Sequence, residues 1–228
     1  PVSNVVLMID GLVTTAGLPV KTLADLRALA ASKPGGLNFG TLGEGSSVDF
    51  FRQLLGDQWN TRFTGIPYKG GANLTATGLM TGEIDLSWGS LGSWIAGING
   101  GKIRLLAVAS SKRHAQFPGI PTFTESNLVG IGRVFFGLAM PAGVPDAIVQ
   151  KLNKDLRTLV AQKEGQERLQ VLGTYTRELT PAQTEKFLRD EENLWWPVVR
   201  KIEEKKEEQK TDISVFTDML DKVPEKVE

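Results

Sequence analysis

From Val5 to Ala109, short apolar runs alternate with amphipathic helical stretches, and each joint is marked by Gly, Pro, Ser or Asn. This rhythm constrains the fold more than any other feature, because strands joined through helices need right-handed crossovers and lie mostly parallel, with both faces of the sheet covered. Val5–Ile9 reads as a buried strand. Thr22-x-x-Asp25 then opens a helix with Leu23, Leu26, Leu29 and Ala30 on one face, stopped by Pro34-Gly35-Gly36. Strand Leu37–Thr41 turns through Gly43-Glu44-Gly45-Ser46-Ser47 into a helix carrying Val48, Phe51, Leu54 and Leu55. Strand Phe63–Pro67 leads through Gly70-Gly71 into a third helix ended by Gly82, and strand Ile84–Trp88 precedes a short helix, Ser90–Ile98. Arg104–Ala109 is the next strand. In such sheets ligands bind beyond the carboxyl ends of the strands.

From Phe135 the pattern changes. A strand, Phe135–Met140, enters Pro141-Ala142-Gly143-Val144-Pro145 and then two long helical segments with no strand between them. The first carries Ile148, Val149, Leu152, Leu156, Leu159 and Val160 at helical spacing; Thr180-Pro181-Ala182-Gln183 caps the second, whose stripe runs Phe187, Leu188, Glu191, Leu194, Trp195, Val198 and Val199. Residues 201–210 hold eight charges of mixed sign, the pattern of a solvated helix, and 211–221 suit one more small amphipathic helix.

Composition excludes several classes. The chain has no cysteine and one histidine, which removes disulfides, thiolate nucleophiles and zinc clusters and speaks against a transition-metal site; no cofactor is expected. Lys+Arg and Asp+Glu balance at 26 each; the acidic surplus after residue 200 leaves the body only mildly cationic, without the basic stripe of a nucleic-acid binder. The first residues show no basic region followed by an apolar run and a cleavage site.

The strand-to-helix turn at Thr41, Gly43, Gly45, Ser46 and Ser47 is the leading candidate site. Glycines let backbone N–H groups face outward, and a helix start adds unpaired donors with partial positive charge, so the turn suits a carboxylate or phosphate. Plain N-capping, with Ser46 and Asp49 as a box, reads equally well from the same residues. Tyr68 with Gly70-Gly71, and Trp88-Gly89-Ser90, close the next two strands and extend one rim of donors without a base. Catalysis finds no support: His114 lies in a polar loop, no G-x-S-x-G nucleophile motif is present, and Glu44 and Asp49 are not held as an acid pair.

The segments LPVKTLADLRALAASKPGGLNFGT (18–41), GEGSS (43–47), IPYKGGANLTATGLMTGEIDLSW (66–88), GKIRLLAVASSKRHAQFPGIPTFTES (101–126), FFGLAMPAGVPDAIVQKLN (135–153) and TPAQTEKFLRDEENLW (180–195) resemble the Bug/TctC family of extracytoplasmic solute receptors of tripartite tricarboxylate transporters. The resemblance implies an α/β periplasmic-binding-protein-like fold of type II: a ligand-binding second lobe at 4–130, C-terminal helices of an incomplete first lobe at 134–200, and a charged tail at 201–228. It further implies a periplasmic location, no enzymatic activity and no cofactor. The implied partners are a small carboxylate and membrane transporter subunits, with no nucleic acid. The candidate ligand set read from the rim of turns is Thr41, Gly43, Gly45, Ser46, Ser47, Tyr68, Trp88, Gly89 and Ser90, with Tyr68 and Ser90 fixing orientation and Trp88 covering apolar bulk. Relatives begin with a further βα segment, so half of the site is expected to lie outside this chain, through a fragment, a lost segment, or completion by another chain. A degenerate lobe that binds a protein partner or self-associates is the alternative. Val48 and Asp49 stand where relatives have Thr and His, and Trp88-Gly89-Ser90 where many have an aspartate.

Overall fold

The computed structural model describes residues 1–128, 134–171 and 174–220. The elements are β1 (Ser3–Met8), β2 (Asp10–Thr15), α1 (Leu23–Ser32), β3 (Asn38–Thr41), α2 (Ser47–Trp59), β4 (Thr64–Pro67), α3 (Ala72–Thr81), β5 (Leu86–Ser90), α4 (Leu91–Asn99), β6 (Ile103–Ala109), β7 (Phe135–Leu138), α5 (Asp146–Ala161), α6 (Lys163–Val171), β8 (Thr174–Tyr175) and α7 (Pro181–Leu220). Five strands form one sheet in the order β4-β3-β5-β2-β6, and three form another, β7-β1-β8.

The larger sheet is mixed, which corrects the expectation of a mostly parallel one. β3 runs parallel to β4 and β5, but β2 enters between β5 and β6 antiparallel to both. The single strand expected at Val5–Ile9 is in fact the first of two: β1 belongs to the small sheet and β2 to the large one, with Ile9 as the crossover. β5 begins and ends two residues later than expected, so Gly89 and Ser90 lie in the strand.

Two cores flank this sheet. On one face α1 and α2 pack Leu26, Ala30, Phe51 and Leu55 against Leu12, Phe39, Trp88 and Ala107. On the other, α3 and α4 pack Leu79, Leu91 and Trp94 against Val13, Ile84, Leu105 and Val108. The α1 capping box forms as its sequence predicts: Thr22 Oγ1 accepts from Asp25 N at 3.1 Å and Asp25 Oδ2 accepts from Thr22 N at 2.9 Å. Gly40 lets α3 approach, since a Cβ there would stand 2.3 Å from Ile84 Cδ1 and 2.7 Å from Thr75 Cγ2.

The remaining elements build on the small sheet. Asn153 of α5 donates through Nδ2 to the carbonyls of Val2 and Leu179, both at 2.9 Å, and Phe187 of α7 meets Phe135 edge-on at 5.1 Å. Three helices, not two, fill this region, with the two-residue β8 between α6 and α7. The charged segment after Arg200 continues α7 as one helix, through Pro197, to Leu220; residues 221–228 lie outside the described ones. Ile202 is buried, and Lys201 pairs with Asp57 of α2 at 3.6 Å, which ties α7 back to the larger body. β7 and β8 are the edges of the small sheet, where Phe136 and Leu138 are exposed, as are Ile148 and Leu159 on α5. Among the described residues no helix is long and apolar enough to cross a membrane.

Candidate functional site

One edge of the large sheet gathers the expected residues. The carboxyl ends of β3, β4, β5 and β6 meet there beside the amino end of β2, with Asp10 in register with both Ser90 and Ala109. Three helices begin at this edge. α2 starts after Ser46, α3 after Gly71 and α4 after Ser90, and neither α3 nor α4 has a side-chain cap. Leu91 N of α4 already donates to Ile9 O at 2.8 Å and Leu74 N of α3 to Gly71 O at 3.2 Å, so the remaining first-turn N–H groups are those an anion could use.

The turn before α2 keeps its shape through two glycines with positive φ, Gly43 at 112° and Gly45 at 76°, values a side chain would strain. Its donors are more committed than the sequence suggests. Gly43 N donates to Thr41 Oγ1 and Gly45 N to Asp49 Oδ2, each at a long 3.3 Å, and Ser46 N donates to Gly43 O at 3.2 Å. Ser46 is a cap: its hydroxyl donates to Gly43 O at 2.7 Å and accepts from Asp49 N at 3.2 Å. What stays open among the described residues is the first turn of α2 itself, the N–H groups of Ser47 and Val48, with the exposed Ser47 hydroxyl alongside.

Asp49 places an anion beside these donors, yet its charge is answered. Arg52 reaches it at 2.8 Å through a terminal nitrogen and 2.9 Å through Nε, and Gln53 Nε2 adds a hydrogen bond at 2.9 Å. Arg52 also donates to Phe63 O at 2.8 Å, which anchors the pair to the strand side of α2. The Asp49–Arg52 pair thus carries no net charge, and the helix terminus supplies positive potential beside it.

Two expected contacts are placed differently. Trp88 is 1% exposed and stacks on Phe51 at 4.7 Å, and Phe51 stacks on Phe123 at 5.8 Å. Trp88 is therefore core, and its role is to hold α2 against β5 instead of covering a ligand. Tyr68 is half-buried, with its hydroxyl where a Cβ on Gly78 would stand 2.4 Å away, so its ring lies along α3 instead of over the rim. Gly89 accepts from Trp94 Nε1 at 3.1 Å, while the Ser90 hydroxyl caps nothing. His114 stacks obliquely on Phe117, and its Nδ1 accepts from Gln116 N at 3.3 Å, as a loop histidine would. Burial lowers its pKa.

The residue missed by sequence reasoning is Asp10. It is 3% exposed, its carboxyl makes no hydrogen bond or ion pair among the described residues, and burial pushes that carboxyl up to about 7. Its signal, an acid opening an apolar run, was masked because Asp10-Gly11 reads as a turn. A cavity of about 220 Å³ lies at the opposite end of the sheet, lined mostly by apolar residues such as Ile98, Ile103, Leu105, Phe117 and Ile120, with Arg104 as its one charged residue. Among the described residues no group of three or more His, Cys, Asp or Glu could hold a metal ion.

A mixed five-stranded sheet with one antiparallel insertion, joined through a crossover to a second sheet, has the architecture of the type II periplasmic-binding-protein fold. Comparison fixes the family. The profile of the tripartite tricarboxylate transporter family receptors matches residues 1–203, and the chain belongs to that family. Its members are solute receptors, not enzymes, and those of known structure include the periplasmic binding protein BugD. A Cupriavidus necator protein, described as the UPF0065 protein in the gbd 5' region, is 36% identical over 146 residues, which are 63% of this chain and 43% of that one. Among solved structures, R. palustris Rpa4515 with adipate matches with a TM-score of 0.78 at 26% identity, covering 88% of this chain and 67% of the other. MatC from Rhodopseudomonas palustris with bound malate matches with a TM-score of 0.76 at 26% identity, covering 87% and 69%. The chain spans about half the length of the curated relatives it matches.

Proposed function

We propose that this chain captures a small carboxylate for a tripartite transporter, with residues 4–130 as one ligand-gripping lobe and 134–200 as part of the other. The observation that carries the reading is the convergence of three helix amino termini, those of α2, α3 and α4, on a single sheet edge. An ionised carboxylate leaves water at high cost unless several donors receive it, and backbone N–H groups with a helix dipole behind them do so without a cation. Ser47 and Ser90 hydroxyls add orientation. The adipate and malate held by Rpa4515 and MatC make dicarboxylates the first class to test. Lobe closure then supplies the opposing contacts and excludes water. The exposed apolar side chains of Phe136 and Leu138 on β7 and of Ile148 and Leu159 on α5 belong, on this reading, to the packing of the first lobe.

The test is calorimetry with a panel of mono- and dicarboxylates, with a nucleotide and a short peptide as controls. Saturable binding of at least one carboxylate, absent for the controls, is expected. Binding of the nucleotide or peptide with none of the acids would refute the reading.

A further inference from the structure

We propose that Asp10 is a ligand-contacting residue which, as the neutral acid, donates a hydrogen bond to the carboxylate seated at the sheet edge, so that capture weakens as Asp10 ionises. The proposal rests on the carboxylate reading above and deepens it by adding a side-chain donor and a proton to a site otherwise built from main chain.

Placement carries the argument. Asp10 faces Ser90 of β5 on one side and Ala109 of β6 on the other, and residues directly opposite in antiparallel strands point to the same face. That face is the one covered by α2: Leu12, two residues on, packs with Trp88 and Phe51, and Ala109 packs against the same cluster. The carboxyl therefore stands beside the Ser90 hydroxyl, on the face over which the open first turn of α2 lies and at the edge where α4 begins. A buried acid with no partner is costly, and such groups persist where function uses them.

Among the described residues nothing around it offers a compensating charge. β1 and α4 contain no titratable side chain, and the facing residues of β5 and β6 are Ser90 and Ala109. At the α2 turn stand Glu44 and the closed Asp49–Arg52 pair. Beyond β6 come Lys112, Arg113 (paired with Glu125) and His114, and α7 contributes the buried Glu191. Desolvation alone accounts for the position of its titration, about 7. Two ionised carboxylates cannot share such a site, whereas an acid and a carboxylate form a short, strong O–H···O⁻ bond. The sign follows. Below about pH 7 the donor is present; above it, each ligand must bring a proton to Asp10, and affinity falls about tenfold per pH unit.

The experiment is calorimetry on the wild-type chain and Asp10→Asn, with adipate and malate as probes, from about pH 6 to about pH 8.5, where both probes are largely ionised. Titrations at the upper pH are run in two buffers of different ionisation enthalpy. The wild type is expected to take up about one proton per ligand at the upper pH and to lose affinity across the range. Asp10→Asn, which keeps a donor, is expected to take up none and to bind with flat pH dependence. Binding of either probe by the wild type without proton uptake would overturn the role of Asp10 and leave the carboxylate reading standing. Parallel pH dependence in the two proteins would do the same. Failure of every acid in the wider panel to bind either protein would sink the reading, and this proposal with it. If Asp10→Asn does not give a cooperative melt by circular dichroism, proton uptake by the wild type decides alone.

Discussion

Asp10 also couples the fold to pH. Its carboxyl titrates at about 7 in the native chain against an ordinary value of 3.8, so between those values the folded protein holds a proton that the unfolded chain has lost. Stability therefore falls as pH rises from about 4 to about 7 and levels off above, by roughly 1.4 kcal/mol for each unit of displacement. Urea unfolding should show Asp10→Asn gaining stability over the wild type between pH 5 and pH 8; an unchanged difference would contradict the burial argument. Thr14, on the same strand, is fully buried and its hydroxyl has no partner among the described residues. Thr14→Val removes an orphaned group while keeping the shape, and a gain of about 1 kcal/mol is expected in the same assay.

At the level of elements, the site depends on how closely helices approach the large sheet. Phe51 lies between Trp88 and Phe123 and fixes the axis of α2, so the direction of its amino terminus is set by aromatic packing some four residues away. Gly40 performs the same service for α3. A methyl at that position meets Thr75 and Ile84, both buried, and Gly40→Ala should cost about 1–3 kcal/mol by thermal or denaturant unfolding. Most helices were legible because their period, caps and glycine stops are local: Thr22 and Ser46 open α1 and α2, and Gly82 ends α3, where their chemistry predicts. β2 was not. It is buried on both faces, so it lacks the alternation that marks a half-exposed strand, and it opens with Asp-Gly, which reads as a turn. β8, two residues long, falls below any periodic signal.

For the whole molecule, the two sheets and the crossover at Ile9 and Val134 place a donor-rich edge at the junction of the two bodies, with Met8 N donating to Val134 O at 2.9 Å across it. The residues of that edge were visible in sequence as glycine- and serine-rich turns after strands. Their directions were not, because a stacked Trp88 and a Ser46 committed to capping depend on tertiary neighbours. The claim beneath the function is that main-chain donors at the start of α2 hold the anion, and proline tests it at the one position where it fits. Ser47 is the first residue of α2, where proline is favoured, and Ser46 before it is extended at φ −73°, ψ 158°, as a residue preceding proline should be. Calorimetry with adipate and malate should show Ser47→Pro, stripped of one N–H, losing about ten- to a hundredfold in affinity with its melting temperature kept, while Ser47→Ala loses far less. Equal affinity in Ser47→Pro and the wild type would contradict the account.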